Sequence, residues 1–196
     1  MNLPNKLTIL RIILVPIMVI IPFLGISGTL FNIPIQNLVI IAIFAIASYT
    51  DHLDGKIARK NNLITTFGKF ADPLADKILV LAAMLMLVEM QKLPAWIPII
   101  VLTREFVVSG YRLIAVEKGG QVIAASIWGK LKTVTQMIAI ILAFIDTKYF
   151  GAFIFEGLTG YNLVINVLAT TMMFISTVAT IFSGIDYLKG SKKLFK

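Results

Sequence analysis

The chain has 196 residues, 58% of them hydrophobic and 14% charged, with no cysteine and a formal net charge of +8. A soluble domain carries about 25% charged residues, and here the apolar residues fall in runs of about 20, the length that crosses a bilayer, so a soluble globular protein is excluded. The missing cysteines exclude disulfides and thiolate metal sites; the basic excess suits anionic lipid headgroups and phosphorylated substrates, and with no motif for nucleic acid no such partner is expected.

The expected fold class is all-α: a polytopic membrane protein, one domain over 1–196, with six transmembrane helices. At the start, Leu3, Leu7, Leu10 and Leu14 recur every three or four residues. They mark either a short amphipathic interfacial helix or the first turns of the first span. Lys6 and Arg11 stand where a signal peptide has its basic end, but the run contains proline and more spans follow, so an uncleaved helix is expected. The spans are expected at Ile9–Ile26, Asn37–Ala58, Asp72–Met90, Pro94–Val116, Ile127–Ile145 and Leu163–Leu188. Turn-like stretches separate them: GISGTLFNIP, QKLPAW and DTKYFGAFIFEGLTGYN.

Basic residues set the orientation. Lys6 and Arg11 flank the first span; Lys56, Arg59, Lys60, Lys69 and Lys77 surround the second connection; Arg112, Lys118, Lys130 and Lys132 surround the fourth; Lys189, Lys192, Lys193 and Lys196 form the tail. The opposite connections hold only Lys92 and Lys148. Positive residues stay on the cytoplasmic side, which puts both termini and both charged hairpins there.

Two acidic pairs stand out against this apolar background. The stretch DHLDGKIARK closes the second span, and ADPLAD opens the third. At 3.6 residues per turn, Asp51, Asp54, Gly55 and Ala58 share about a third of the helix circumference, and Gly68, Asp72 and Asp76, spaced by fours, form one stripe. A short connection makes the two helices antiparallel neighbours, so all four carboxylates can converge at the cytoplasmic edge. An Asp at the centre of a membrane helix costs roughly 2.5–3.5 kcal/mol, and four together would repel one another, so a cation is expected between them. Oxygen-only ligands point to a hard ion, Mg²⁺ or Mn²⁺, and four carboxylates could hold two, clamping a transferring phosphoryl group. Gly55, Ala58 and Gly68 leave room for a ligand against the backbone, and Arg59 can reach a phosphate. Read singly, each of these residues also fits helix packing or plain solvation. His52 points about 100° away from Asp51, which favours an orienting or interfacial role over a metal ligand.

The pattern D-x2-D-G-x2-A-R-x8-G-x3-D-x3-D, met by Asp51, Asp54, Gly55, Ala58, Arg59, Gly68, Asp72 and Asp76, resembles the signature of the CDP-alcohol phosphotransferases. The resemblance implies a homodimer of six-helix chains, usually with a short amphipathic helix in front. It implies that the four aspartates hold two divalent ions, that the ions bind the pyrophosphate of a CDP-linked donor, and that Gly55, Ala58, Gly68 and Arg59 seat the CDP group. It further implies that Asp76 takes the proton of the acceptor hydroxyl, which attacks the phosphorus on the lipid side while CMP leaves.

Within the family, NLPNKLTILRIILVP (through Asn5, Thr8, Arg11 and Pro16), FGKFADPLADK, TREFVVSGYRLIAVEKG and GKLKT resemble the bacterial phosphatidylglycerophosphate synthases. That subfamily resemblance implies CDP-diacylglycerol as donor, sn-glycerol 3-phosphate as acceptor and a place in the bacterial cell membrane. The acceptor is a small dianion, and Arg104, Arg112, Lys130 and Lys132 are the expected cations for its phosphate. Arg104 lies inside the fourth span, where an unpaired arginine is expensive; Arg112 follows two turns later. The plain alternative for these cations is positive-inside decoration, and for Arg104 a salt bridge with Glu105. The cluster does not separate glycerol 3-phosphate from inositol phosphate, and serine or phosphatidylglycerol also stay open as acceptors. A divalent-cation transporter is the reading from another class, disfavoured because the carboxylates cluster at one edge in one hairpin with no matching half.

Overall fold

The computed structural model describes residues 2–60, 66–117 and 127–191, with the side chains of 51–60 outside the described part. Seven α-helices appear in it: α1 (Leu3–Ile20), α2 (Ile35–Lys60), α3 (Thr66–Glu89), α4 (Trp96–Glu117), α5 (Ile127–Ile145), α6 (Ala152–Phe155) and α7 (Gly160–Ser191). Three of them supply stretches long and apolar enough to cross a membrane, Asn5–Leu24, Ile127–Ile145 and Gly160–Lys189, while Ile35–Thr50 is apolar but shorter. The chain is a multi-pass, mostly helical membrane protein. α3 and α4 have the length but carry Asp72, Asp76 and Lys77, and Arg104, Glu105 and Arg112, which lower their apolar character.

The first expected span starts six residues early. α1 runs unbroken from Leu3, with Pro4 in the first turn and Pro16 inside, so no break sets off a separate interfacial helix. Pro in the first turn loses no hydrogen bond that the helix would have made. A 3₁₀ turn, Ile21–Leu24, ends at Gly25 with φ 64°, a left-handed value that glycine adopts without strain.

The stretch between α1 and α2 holds a two-stranded antiparallel hairpin, β1 (Thr29–Leu30) and β2 (Ile33–Pro34), in register Thr29↔Pro34 and Leu30↔Ile33. Its tip, Phe31 and Asn32, has φ of 53° and 64°, the positive pair that a two-residue hairpin turn requires. Phe-Asn lacks the usual Asn-Gly signal, which is why the sequence reads there only as a turn.

Two compact units divide the chain, Met1–Glu89 and Met90–Lys196. In the first, α1 lies against both α2 and α3. The buried face of α1 is Asn5, Thr8, Arg11, Val15, Met18 and Ile21, at intervals of three and four that keep one stripe on one side. Ile40, Phe44 and Ala47 of α2 and Ala71, Ala75, Leu79 and Ala83 of α3 complete this core. In the second unit α5 packs along α7, and α4 also lies against α7. Ala139, Ile140, Ala143 and Phe144 of α5 are buried, as are Ala169, Met173, Ser176, Thr177, Ala179 and Thr180 of α7. Small residues let two backbones approach closely, which is how helices associate in lipid.

The connection after α5 is stapled by buried polar groups. Asn166 of α7, fully buried, accepts from Phe153 N at 2.9 Å and donates to Tyr149 O at 2.9 Å and to Asp146 Oδ2 at 2.7 Å. Lys92, between α3 and α4, donates to the carbonyls of Ala143 and Phe144, both at 3.4 Å, and to that of Asp146. These are carbonyls at the end of α5, where a cation is favourable.

Candidate active site

The α3 stripe is built as the four-residue spacing predicts. Gly68 is buried, and Asp72 and Asp76 are half-buried one and two turns further along the helix. Beside them Ala71 and Ala75, 4% and 1% exposed, form the packed edge. Alanine there lets a neighbouring element pack closely, while the two carboxylates beside it stay half-buried.

A partner for one of them comes from α1. Thr8, fully buried, donates its hydroxyl to Asp72 Oδ1. Thr8 and Asp72 each sit in the second turn of their helix. A hydrogen bond to one oxygen fixes the rotation of a carboxylate and leaves the other oxygen's lone pairs for a further ligand. Arg11, one turn beyond Thr8 on the same face, is the largest fully buried side chain among the described residues. It was expected as a flanking cation; it lies instead inside the unit that carries Asp72 and Asp76, where its charge opposes theirs. The sequence signal for both residues is the polar run Asn5, Thr8, Arg11 at three-residue spacing on an otherwise apolar helix.

The donor chemistry was tested against the expected divalent ion. Asp72 and Asp76 are all-oxygen donors one turn apart, in a half-buried setting, which fits a hard cation. Among the described residues no group of three or more His, Cys, Asp or Glu side chains could hold a metal. The other expected ligands, Asp51 and Asp54, and with them His52, Gly55, Ala58 and Arg59, have side chains outside the described residues; the backbone there is helical, as the last turns of α2.

The four expected phosphate cations separate into two kinds. Arg104 Nη1 donates to Glu105 Oε1 at 3.0 Å and Lys132 Nζ to the same oxygen at 2.6 Å. Arg104 Nη2 also donates to Ser183 Oγ of α7 at 2.6 Å. Arg112 and Lys130 are exposed. Glu105, which joins two of the four, was weighed only as a salt-bridge partner for Arg104.

The family model described as CDP-alcohol phosphatidyltransferase matches residues 1–182. A Bacillus subtilis (strain 168) protein named CDP-diacylglycerol–glycerol-3-phosphate 3-phosphatidyltransferase is 40% identical over 202 aligned positions, covering 100% of this chain and 97% of its own length. A Haemophilus influenzae protein of the same name is 38% identical, covering 97% of this chain and 94% of its own. One from Rickettsia bellii is 34% identical, at 99% and 97%. A match across residues 1–182, which include the acidic hairpin, Thr8 and the Arg104–Glu105 pair, leaves one conclusion: the chain belongs to the CDP-alcohol phosphatidyltransferase family.

Proposed function

We infer that the protein is a transferase of phospholipid biosynthesis, moving the phosphatidyl group of CDP-diacylglycerol to sn-glycerol 3-phosphate and giving phosphatidylglycerophosphate and CMP. The observation that carries this reading is the half-buried Asp72–Asp76 stripe of α3, oriented by Thr8, within a chain similar over its whole length to enzymes named for that reaction. The six long helices α1–α5 and α7 are read as the six spans of one domain. Both termini and the two charged hairpins then face the cytoplasm across a bacterial cell membrane, and the enzyme is read as a homodimer.

Asp51, Asp54, Asp72 and Asp76 would hold two Mg²⁺ ions, with Mn²⁺ as the substitute. When bound, such ions neutralise the pyrophosphate and the charge developing on the leaving nucleotide. Gly55, Ala58 and Gly68 leave space along the helices for the CDP group, and Arg59 supplies a planar cation for its phosphates. Asp76 accepts the proton of the acceptor hydroxyl. That oxygen forms a bond to the phosphorus carrying the diacylglycerol, the bridging P–O bond of the pyrophosphate breaks, and CMP departs with its electron pair. Arg104, Arg112, Lys130 and Lys132 hold the acceptor phosphate, so that much of the acceleration is positioning and electrostatics.

The test is CMP release by the purified protein in detergent with CDP-diacylglycerol and Mg²⁺. Glycerol 3-phosphate, inositol phosphate, serine and phosphatidylglycerol are offered singly, each with a chelator control. Release with glycerol 3-phosphate alone, abolished by chelator, is expected. Release with another acceptor would keep the acidic site and overturn the acceptor; cation flux in proteoliposomes without CMP release would favour a transporter.

Thr8→Val separates Asp72 orientation from bulk. A hydrogen bond to a charged group is worth about 1.5–3 kcal/mol, so the Mg²⁺ concentration for half-activity should rise about tenfold, while Thr8→Ser stays near wild type. Mn²⁺ binding followed by electron paramagnetic resonance, without substrate, should weaken in parallel. Unchanged Mn²⁺ binding in Thr8→Val would remove Thr8 from the site.

A further inference from the structure

The cationic cluster of the second unit contains a residue that the reaction scheme leaves without a task. Glu105 Oε1 takes both Arg104 Nη1, at 3.0 Å, and Lys132 Nζ, at 2.6 Å. Their side chains are only 17%, 10% and, for Glu105 itself, 18% exposed. Arg104 comes from α4 and Lys132 from α5, and Ser183 of α7, itself 2% exposed, accepts the other arm of Arg104. The Arg104 stem passes Gly184 of α7, where a Cβ would stand 3.5 Å from Arg104 Cγ, in ordinary contact. Three helices thus meet on one carboxylate oxygen and one hydroxyl.

The charges do not cancel. Among the described residues, two cations share one carboxylate oxygen, which leaves a positive excess in a site largely screened from water. The donors exceed the acceptors as well. Arg104 Nε is buried and has no hydrogen-bond partner among the described residues. An ammonium has three N–H donors, and the bond from Lys132 to Glu105 uses one. A cluster with surplus charge and surplus N–H groups is organised to receive an anion with several oxygens. Without Glu105 the two cations would repel each other at short range in a low-dielectric setting and would turn toward separate, better-solvated positions.

We propose that Glu105 is a positioning residue for the acceptor phosphate: it gathers Arg104 and Lys132 onto one oxygen in the acceptor-free enzyme, so that the incoming phosphate meets two cations already assembled. The inference rests on the reading of Arg104, Arg112, Lys130 and Lys132 as the phosphate site. It deepens that reading by assigning the pre-assembly to a carboxylate, a group that alone would repel a phosphate. Pre-organisation of this kind lowers the ordering cost that binding must otherwise meet.

The experiment is steady-state kinetics on the full-length enzyme with Glu105→Gln and Glu105→Asp, beside Arg112→Gln and Lys130→Gln, varying each substrate in turn. Glu105→Gln keeps the shape and removes the charge. It should raise KM for glycerol 3-phosphate about tenfold, leave KM for CDP-diacylglycerol unchanged and change kcat less than about threefold. Glu105→Asp, which keeps the charge on a shorter stem, should fall between wild type and Glu105→Gln, and it carries the test if Glu105→Gln does not fold. A fall in acceptor KM would overturn the proposal, because Glu105 would then be a competitor of the phosphate. Equal changes for both substrates, or a loss of kcat with both KM values kept, would also overturn it, as marks of a purely structural role. If Arg112→Gln and Lys130→Gln leave acceptor KM untouched while Glu105→Gln raises it, the phosphate site is smaller than proposed and the Glu105 inference survives. If those two raise it and neither Glu105 variant does, the site stands and the inference falls.

Discussion

Asp76→Asn is expected to lower turnover about 10³-fold while CDP-diacylglycerol binding is largely kept. The substitution preserves volume and hydrogen-bonding shape, so the packing beside Ala75 survives, but an amide cannot accept the acceptor's proton. General-base catalysis typically contributes about 10²–10⁴-fold. Asp76 lies one turn beyond Asp72 on the α3 stripe, half-buried in the same setting. Asp72 is the useful comparison, because Thr8 already donates to it. If Asp72 only holds the metal, Asp72→Asn should be rescued in part by excess Mg²⁺. Asp76→Asn should not be, since the lost function is the proton acceptor and not affinity alone. Rescue of both to the same degree would reduce Asp76 to a ligand, and near-normal turnover in Asp76→Asn would remove it from proton transfer altogether.

The sequence was informative where chemistry follows helical period. Gly68, Asp72 and Asp76 fall on one stripe because four residues are close to one turn, and nothing in tertiary packing can undo that. The expected span Ile127–Ile145 coincides with α5: Lys130 and Lys132 mark its opening turns, and the apolar run that follows Gln136 stops at Asp146. The opening helix was harder. Leucines at 3, 7, 10 and 14 marked an interfacial helix or the opening of the first span, and neither reading says which face is buried: Leu10 is 41% exposed and Arg11 0%. In lipid the exposed face of a helix is apolar, so the usual rule inverts and the polar residues mark the interior. That inversion hid Thr8 and Arg11 as parts of the candidate site. For Arg104 a salt bridge with Glu105 was the plain alternative, and the angle between adjacent helix positions stood against it. Neighbouring helix positions diverge by about 100°, but two long side chains can bend across that angle, and a third partner, Lys132, fixes the carboxylate where they meet. Such a three-helix contact has no spacing rule to reveal it. The two-stranded hairpin and α6 are equally silent in sequence, since each depends on local turns of only a few residues.

Lys92→Met is expected to be destabilising, by about 3 kcal/mol, because it strips a hydrogen-bond donor from three carbonyls, and a buried acceptor left unsatisfied costs about 1–3 kcal/mol. Lys92 donates to three carbonyls around the end of α5, those of Ala143, Phe144 and Asp146. The Asp146 carboxylate, in a residue 4% exposed, accepts from Lys148 N at 2.9 Å and from Asn166 Nδ2 at 2.7 Å. Removing the ammonium therefore strands the carbonyls at the end of α5 and takes an opposite charge from the neighbourhood of Asp146. Burial pushes the Lys92 ammonium down from 10.5 to about 8, against the attraction of Asp146. Burial likewise raises Asp146 above 3.8, against its hydrogen bonds and Lys92. The signs then follow. Between about pH 8 and 10.5 the unfolded chain holds more protons at Lys92 than the folded one, so this group makes stability rise with pH across that window. Asp146 acts oppositely at the acid end: the folded state holds the extra proton, and stability falls as pH rises from 3.8 through its raised value. Thermal unfolding in detergent at several values between pH 7 and 10 should show the Lys92→Met curve lying below wild type, with the gap widening above about pH 8. The gap widens because the neutral amine keeps a donor for the carbonyls without the cost of a buried charge; parallel curves would mean that folding leaves the Lys92 titration unchanged. The double variant Lys92→Met/Asp146→Asn should recover part of the loss, because the amide carries no charge to bury, although its single oxygen can keep only one of the bonds that Lys148 N and Asn166 Nδ2 make to the two carboxylate oxygens. Failure to recover would place the stability in the carbonyl contacts at the end of α5, which the ammonium alone supplies.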